Sequence, residues 1–302
     1  MKGIILAGGH GTRLYPLTGV TSKQLQPVFD KPMIYYPLST LMLGGVKDIA
    51  IISTPEDLPK FKSLLGKGSD LGIKLSYFEQ SQPRGIAEAF IICEKFIGKN
   101  RVSLILGDNI FYGNLRLREN FETFTKGALI YGYAVRDPEK YGIIEFDSKG
   151  NVVDIVEKPK LPKSRYAVPG LYIYDNKVVE ISKKLEPSKR GELEITAVNN
   201  EYLKMGNLEV RILGRGIAWL DTGSPSNLHE ASSFISSVEK RQSHKIGCIE
   251  EVAFRENYID LNKFSSITNK MPDCDYRDYL KSIIDEYGHN SRQQHVIKKL
   301  QS

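Results

Sequence analysis

The chain has 302 residues, 41% of them hydrophobic, and a formal net charge of +6, which is enough apolar material for one large or two ordinary domains. No apolar run approaches the roughly 20 residues of a membrane span, and no basic stripe interleaved with aromatics marks a nucleic-acid groove, so neither partner is expected. The mildly basic balance suits an anionic small-molecule substrate.

Cys93, Cys248 and Cys274 stand far apart, outside any metal-ligand spacing, and read as reduced thiols, while the scattered histidines offer no zinc pair. The opening residues run straight into a strand with no basic-then-apolar leader, which sets the expectation of a cytoplasmic protein.

The first strand, Ile4-Ile5-Leu6, breaks into Ala7-Gly8-Gly9-His10-Gly11 and then presents Thr12, Arg13, Lys23 and Gln24 in a run punctuated by Pro16 and Pro27. A glycine-rich turn after a strand lets backbone N–H groups converge on an anion, and Arg13 and Lys23 add charge-assisted contacts to phosphate. The stretch reads as a triphosphate cradle, with an ordinary βα turn as the alternative. It is not a P-loop, because no Gly-Lys-Ser/Thr triplet follows Gly8 or Gly9. Leu14 stands where the dinucleotide fingerprint needs its third glycine.

Helical spacing of Ile34, Leu38, Leu41 and Met42 predicts a helix over 32–45, stopped by Gly44-Gly45. A buried strand at 49–52, a short helix at 57–65 and an alternating strand at 73–78 complete a βαβαβ order. That order predicts an α/β fold, a Rossmann-like, mostly parallel sheet flanked by helices. A polar loop from Gln80 to Gly85 leads into a helix over 86–96, and Gln80 carries both the donor and the acceptors needed to read a base edge. Val102–Leu106 is a continuous apolar strand ending in Gly107-Asp108. An acidic residue there faces the same crevice as the glycine turn, where Asp108 is a natural magnesium ligand. Taken singly, Gln80 also reads as a solvated loop residue and Asp108 as a turn aspartate.

From Ala128 the chain turns to longer β pieces: Ala128–Ala134, 141–146, 152–156 and Leu171–Tyr174, the middle two forming a hairpin. This half is expected to hold an acceptor. Tyr141-Gly142 lets a sugar approach the backbone, Glu157 accepts from hydroxyls, and Lys158 holds a phosphate, with Pro159 keeping Lys158 extended; taken singly, Glu157 and Lys158 also read as a surface pair at a strand end. Helices at 177–185 and 195–205 and a strand at 208–213 lead to Trp219 and Asp221, which share a strand face; Asp221 is the second candidate metal ligand. A helix at 226–242 and a helical region at 246–302, with an apolar stripe of Tyr276, Tyr279, Leu280, Ile283 and Ile284, complete the chain. The polar composition after Gly288 predicts a mobile tail.

Several stretches together resemble the glucose-1-phosphate thymidylyltransferases. They are Leu6-Ala7-Gly8-Gly9-x-Gly11-Thr12-Arg13-Leu14-x-Pro16-Leu17-Thr18, Ser22-Lys23-Gln24-Leu25-x-Pro27-Val28, Leu106-Gly107-Asp108-Asn109-Ile110-Phe111-Tyr112-Gly113, Asp137-Pro138-x-x-Tyr141-Gly142, Glu157-Lys158-Pro159, Arg190-Gly191-Glu192-Leu193-Glu194-Ile195-Thr196 and Gly214-Arg215-Gly216-x-Ala218-Trp219-Leu220-Asp221-Thr222-Gly223. The resemblance covers nearly the whole chain. It implies the reaction of dTTP with α-D-glucose 1-phosphate to give dTDP-glucose and pyrophosphate, as the first step of dTDP-L-rhamnose or dTDP-deoxysugar biosynthesis.

By the same resemblance, Leu6, Gly8, Gly9, Gly11, Thr12, Arg13, Gln24, Gln80, Gly85 and Asp108 hold the nucleotide. Tyr141, Gly142, Glu157, Lys158, Val168 and Trp219 surround the sugar phosphate, and Asp108 with Asp221 binds Mg2+. Arg13, Lys23, Asp108, Lys158 and Asp221 are the expected catalytic set. The implied domains are a nucleotidyltransferase domain over 1–242 and a helical C-terminal extension over 243–302. Within the first, 1–125 mainly binds nucleotide and 126–223 is an inserted β-rich subdomain that mainly binds the sugar phosphate. A homotetramer and feedback inhibition by a downstream dTDP-sugar are further expectations, while Asn114-Leu115-Arg116 weakens the carry-over of the second, regulatory nucleotide site that the family places near Tyr112-Gly113. The chain departs from the family pattern in the base loop, with Ser81, Arg84 and Glu88 for the usual Pro, Asp and Gln, at Pro169 and Ala197, and at Asn114-Leu115-Arg116.

Overall fold

Residues 1–9 and 11–301 are described by the computed structural model; His10, Ser302 and the side chains from His289 onward lie outside it. Four of the strands, Lys74–Glu79, Asp48–Ser53, Lys2–Leu6 and Val102–Leu106, lie side by side in that order and pair in parallel. Their side chains alternate between two cores. Ile5, Ile49, Ile51 and Ile105 pack with Leu38 and Leu41 of the helix Tyr35–Leu43, whereas Ile4, Ala50, Ile52 and Leu104 pack with Phe90 and Ile97 on the other face. Cover on both faces is why the inner strands read as apolar runs, while Lys74–Glu79 at the edge of the sheet alternates. Each large side chain so buried contributes about 1.5–3 kcal/mol.

Val102–Leu106 is also paired with Leu171–Tyr174, antiparallel, and there the sheet changes character. Beyond it lie Ala128–Ala134, Tyr166–Ala167, Gly142–Phe146 and Val152–Glu157, with Leu208–Ile212 parallel to Ala128–Ala134, giving a sheet of ten strands. The β-rich half is thus the far wing of the same sheet. Two short ladders stand outside it, Pro27–Val28 with Lys31–Pro32 and Asn109–Tyr112 with Ala218–Asp221.

Two helix boundaries differ from expectation. The helix predicted from residue 32 begins at Tyr35, because Lys31 and Pro32 are held in a hairpin with Val28 and Pro27. The helix predicted over 86–96 is two pieces, Glu88–Ile92 and Glu94–Ile97, parted at Cys93, whose backbone (φ −93, ψ 14) leaves the helical region. Cys93 N still donates to Ala89 O and Ile97 N to Cys93 O, so the break is a kink in one path.

The C-terminal region forms the helices Ile249–Arg255, Leu261–Asn269 and Asp275–Gln301. Ile249, Ala253, Phe264, Leu280 and Ile283 join the core that holds Ile5 and Leu41. Tyr276 and Tyr279 turn their hydroxyls to Glu250 and Glu251, each at 2.6 Å. The tail expected after Gly288 falls in the last turns of the third helix, whose side chains are outside the described residues. No helix among the described residues is long and apolar enough to cross a membrane.

Candidate active site

The carboxyl ends of Lys2–Leu6 and Val102–Leu106 lie together, with Gly107 N donating to Leu6 O at 2.9 Å, so the glycine turn and Asp108 open into one crevice. After the turn the chain coils through three short 3-10 pieces, the third of which, Lys23–Leu25, buries Lys23 and points its ammonium at Asp108. The other carboxylate oxygen of Asp108 accepts from Asn109 Nδ2 at 2.8 Å. Asp221 reaches the same place because its strand pairs with Asn109–Tyr112, setting Asp221 opposite Asn109. Thr222 fixes the register: its N–H and its hydroxyl both donate to the Asp108 carbonyl, at 3.1 and 2.8 Å. The Arg13 guanidinium completes the group, close enough to Gly223 that a Cβ there would lie 3.3 Å from it and 3.1 Å from Asp221 Oδ1.

These four charges are not mutually satisfied. Burial alone would raise Asp108, but the charge and hydrogen bond of Lys23, with the bond from Asn109, outweigh it and hold this carboxyl below the usual range. Asp221 goes the other way: burial raises it, the neighbouring Asp108 charge raises it further, and Lys23 and Arg13 offset only part. Like charges whose titrations are pushed apart mark a place short of positive charge. The described residues contain no cluster of three or more His, Cys, Asp or Glu fit to hold a metal. Two carboxylates alone fit magnesium, which fills its remaining positions with phosphate oxygens and water.

Beside the carboxylates is a cavity of about 200 Å³ lined by Leu6, Gly8, Gly9, Gln24, Gln80, Gly85 and Asp108. A Cβ on Gly8 would lie 2.5 Å from Gln80 Oε1, so the bareness of this glycine makes room for the amide. Gly11 and Thr12 open the 3-10 turn at the rim, with Thr12 exposed. Gln24 is buried with no partner for its Oε1, an acceptor left for a ligand. Gly85 sits at φ +104 against the Leu193 backbone, whose N–H donates to Arg84 O at 2.8 Å, so the segment after Arg190 clamps the loop from Gln80 to Gly85. The departures Arg84 and Glu88 are partners in one ion pair at 2.7 Å.

Across the crevice, the Tyr141 and Trp219 rings meet at 5.1 Å between centroids, and Tyr133 packs on Trp219 edge-on. Burial, then the Asp221 charge, pushes the Tyr141 phenol up to about 12, so it stays a neutral donor. Gly142 pairs with Glu157, and Val168 N donates to Gly142 O at 2.8 Å. Burial raises the Glu157 carboxyl against the pull of Lys158. Lys158 itself is not extended as its proline neighbour predicted; it stands at φ +43. Its N–H donates to Tyr141 O at 3.0 Å, and this last rung of the hairpin holds it in the left-handed region.

Of the residues singled out from the sequence, Arg13, Lys23, Asp108 and Asp221 come together, and Leu6, Gly8, Gly9, Gln24, Gln80 and Gly85 line the cavity beside them. Trp219 and Tyr141 reach the group through Asn109, and Gly142, Glu157, Lys158 and Val168 gather at the hairpin that follows Tyr141. Asn109 was missed. Its Oδ1 accepts from Trp219 Nε1 at 2.6 Å and Gly170 N at 3.0 Å while its Nδ2 holds Asp108, tying the two walls together. Its place directly after Asp108 was the available signal. Arg190 was also missed; it bonds Glu157 at 3.4 Å and Glu192 at 2.9 Å, and its signal was the Arg-Gly-Glu run. A larger cavity of about 940 Å³ lies apart from the carboxylates, lined by Tyr112, Gly113, Arg116, Arg118, Lys245 and Arg255 among others.

A glycine turn, two cations and two carboxylates gathered at the carboxyl edge of a parallel sheet define a nucleotidyl transferase, and the profile of the family described as nucleotidyl transferase matches residues 2–238. A glucose-1-phosphate thymidylyltransferase of Neisseria meningitidis is 52% identical over 94% of this chain and 99% of its own. That of Mycolicibacterium smegmatis is 51% identical over the same shares. Among solved structures, a Bacillus anthracis protein provisionally described as the same enzyme, in complex with a sucrose, is 44% identical with a TM-score of 0.72, covering 78% of this chain and 94% of its own. A UDP-glucose pyrophosphorylase complexed with UDP-glucose is 26% identical with a TM-score of 0.67, covering 80% and 99%. The chain belongs to the glucose-1-phosphate thymidylyltransferase family.

Proposed function

We propose that this enzyme transfers a thymidylyl group from dTTP to α-D-glucose 1-phosphate, giving dTDP-glucose and pyrophosphate, with Mg2+ as cofactor. The observation that carries the chemistry is the convergence of Arg13, Lys23, Asp108 and Asp221 opposite the Tyr141–Trp219 wall. The choice of dTTP and glucose 1-phosphate is supported by the names of relatives about half identical to the chain.

A sugar phosphate has a second pKa of about 6, so its attacking oxygen is ionised at neutral pH without a general base. The task is to bring two anions together and align them. Arg13 and Lys23 neutralise the triphosphate and the departing pyrophosphate, and Lys158 takes the sugar phosphate. Asp108 and Asp221 would hold the magnesium, which supplies further charge neutralisation at the phosphates. Gln80 and Gly85 meet the base, while Tyr141, Gly142, Glu157, Val168 and Trp219 fix the sugar so that displacement is in line and direct. Inversion at the α-phosphorus and no nucleotidylated enzyme are expected.

The same reading makes the product a precursor of dTDP-L-rhamnose or another dTDP-deoxysugar and the protein a homotetramer. It gives the larger cavity beside Tyr112, ringed by Arg116, Arg118, Lys245 and Arg255, to a regulatory nucleotide. The alternative substrate is UTP, favoured by the likeness to a UDP-glucose pyrophosphorylase and by the altered base loop. A catalytically silent subunit is disfavoured because all four central charges are present. Pyrophosphate release from a panel of nucleotides and sugar phosphates, measured on wild type and Asp108→Asn, tests the reading. No release from dTTP and glucose 1-phosphate above the variant's background sinks it.

A further inference from the structure

Asn109 is 3% exposed, and each end of its amide is engaged by one kind of partner. Its Oδ1 accepts from Trp219 Nε1 at 2.6 Å and from Gly170 N at 3.0 Å, while its Nδ2 donates to Asp108 Oδ1 at 2.8 Å. A flipped amide would set its NH2 against two donors and its oxygen against a carboxylate, so the orientation is fixed. Gly170 lets that oxygen in, since a Cβ there would lie 2.7 Å from Asn109 Oδ1. The other oxygen of Asp108 is held by Lys23. The carboxylate is thus held at both ends, and the hold on one end starts at an indole in ring contact with Tyr141, on the opposite wall of the crevice.

We propose that Asn109 is a positioning residue for the metal, and that it makes magnesium affinity at Asp108 depend on Trp219. The Asp108 lone pairs that Lys23 and Asn109 leave free point wherever those two bonds set the carboxylate plane. Without the Asn109 donor the carboxylate is gripped at one oxygen and turns about it. Without the indole N–H, the Asn109 oxygen keeps only the bond from Gly170, and the amide is held less firmly. This rests on the reading above that Asp108 holds magnesium, and it adds the residues that aim Asp108. Trp219 then serves both sides of the crevice, with its ring on the sugar wall and its N–H on the metal ligand.

The test is calorimetric titration of dTTP at stepped free magnesium, with no sugar phosphate present, in wild type, Asn109→Ala, Trp219→Phe and the double variant. In Asn109→Ala the free magnesium that gives half-maximal dTTP binding is expected to rise roughly 10- to 100-fold, with dTTP affinity in EDTA unchanged. In Trp219→Phe it is expected to rise about 2- to 10-fold, and in the double variant no further than in Asn109→Ala. A role of Trp219 confined to the sugar leaves this readout still, and a merely structural role of Asn109 weakens dTTP with and without magnesium alike. A folded Asn109→Ala with the wild-type magnesium requirement overturns the proposal, as does a Trp219→Phe effect that adds in full to that of Asn109→Ala. If Asn109→Ala does not fold, Trp219→Phe decides, and an unchanged requirement there overturns the proposal. A wild type whose dTTP binding does not respond to magnesium overturns both this proposal and the assignment of magnesium to Asp108.

Discussion

Two clusters of two acids and two cations stand in this molecule, and they are built to opposite ends. Where the Pro27–Val28 hairpin meets the helix Pro225–Gln242, Lys31 pairs with Asp30 and with Glu239 at 3.1 Å, and Lys245 pairs with Asp30 and with Glu239 at 3.5 Å. Glu239 also accepts from Ile246 N at 2.7 Å. Each acid there is paired with both lysines. In the crevice, Lys23 satisfies Asp108, but Asp221 is left against a like charge and raised. The same residue types thus join the hairpin to the helix Pro225–Gln242 and the segment after it at one site, and leave unmet demand for cation at the other. What separates structure from function here is the pairing, not the composition.

The largest expected effect breaks the satisfied cluster. Glu239→Ala leaves Lys31 and Lys245 with Asp30 as their only shared acid, one buried positive charge uncompensated, and is expected to cost about 3–5 kcal/mol in urea unfolding, with kcat/KM retained below the new melting point. The crevice answers oppositely. Asp221→Asn is expected to lower kcat by about 10²–10³-fold, yet leave Tm without ligand unchanged or higher, because the charge it removes is held at a loss. A fall in Tm like that of Glu239→Ala would erase the distinction between the clusters.

Next is Lys158→Ala, which removes a charged contact worth about 1.5–3 kcal/mol and is expected to raise the KM for glucose 1-phosphate about 10- to 100-fold while sparing that for dTTP. Equal losses for both substrates would take Lys158 out of the acceptor side.

The smallest effect is in pH. Burial would raise Asp30, but hydrogen bonds from Lys245 and Lys31 hold it below 3.8, so its stabilisation is complete above that value and is lost as pH falls through the depressed one. Asp221 is raised above 3.8 and must be ionised to meet a cation. Acidification should therefore first remove the rise in Tm given by magnesium with dTTP, and only at lower pH loosen the Asp30 cluster. Thermal scans across pH with and without magnesium and dTTP read both, and the reverse order would count against the contrast.

The sequence made most of this fold legible because its signals are local. Val102–Leu106, Ala128–Ala134 and Leu171–Tyr174 lie where apolar runs predicted them, and the two faces of the parallel strands follow from period-two alternation. Asp108 and Asp221 were each legible as acids at strand ends. What the sequence did not carry was long-range. The ladder that sets Asp221 opposite Asn109 joins strands with no periodic mark of each other. Lys158 at φ +43 depends on a hydrogen bond to Tyr141 that overrides the local preference before proline. Arg84 and Glu88, each read as a departure from a pattern, make sense only as a pair bearing on Gln80.

That ladder between Asn109–Tyr112 and Ala218–Asp221 also orders events in time. A chain still being synthesised can form Lys2–Leu6, the glycine turn and Val102–Leu106 long before residue 221 is made, and bringing distant segments together carries a closure entropy that grows with their separation. Until the ladder zips, the cations have only one acid to face. The second carboxylate therefore enters only after the whole of residues 113–217 has been made, so the crevice draws its two acids from opposite ends of a long intervening stretch.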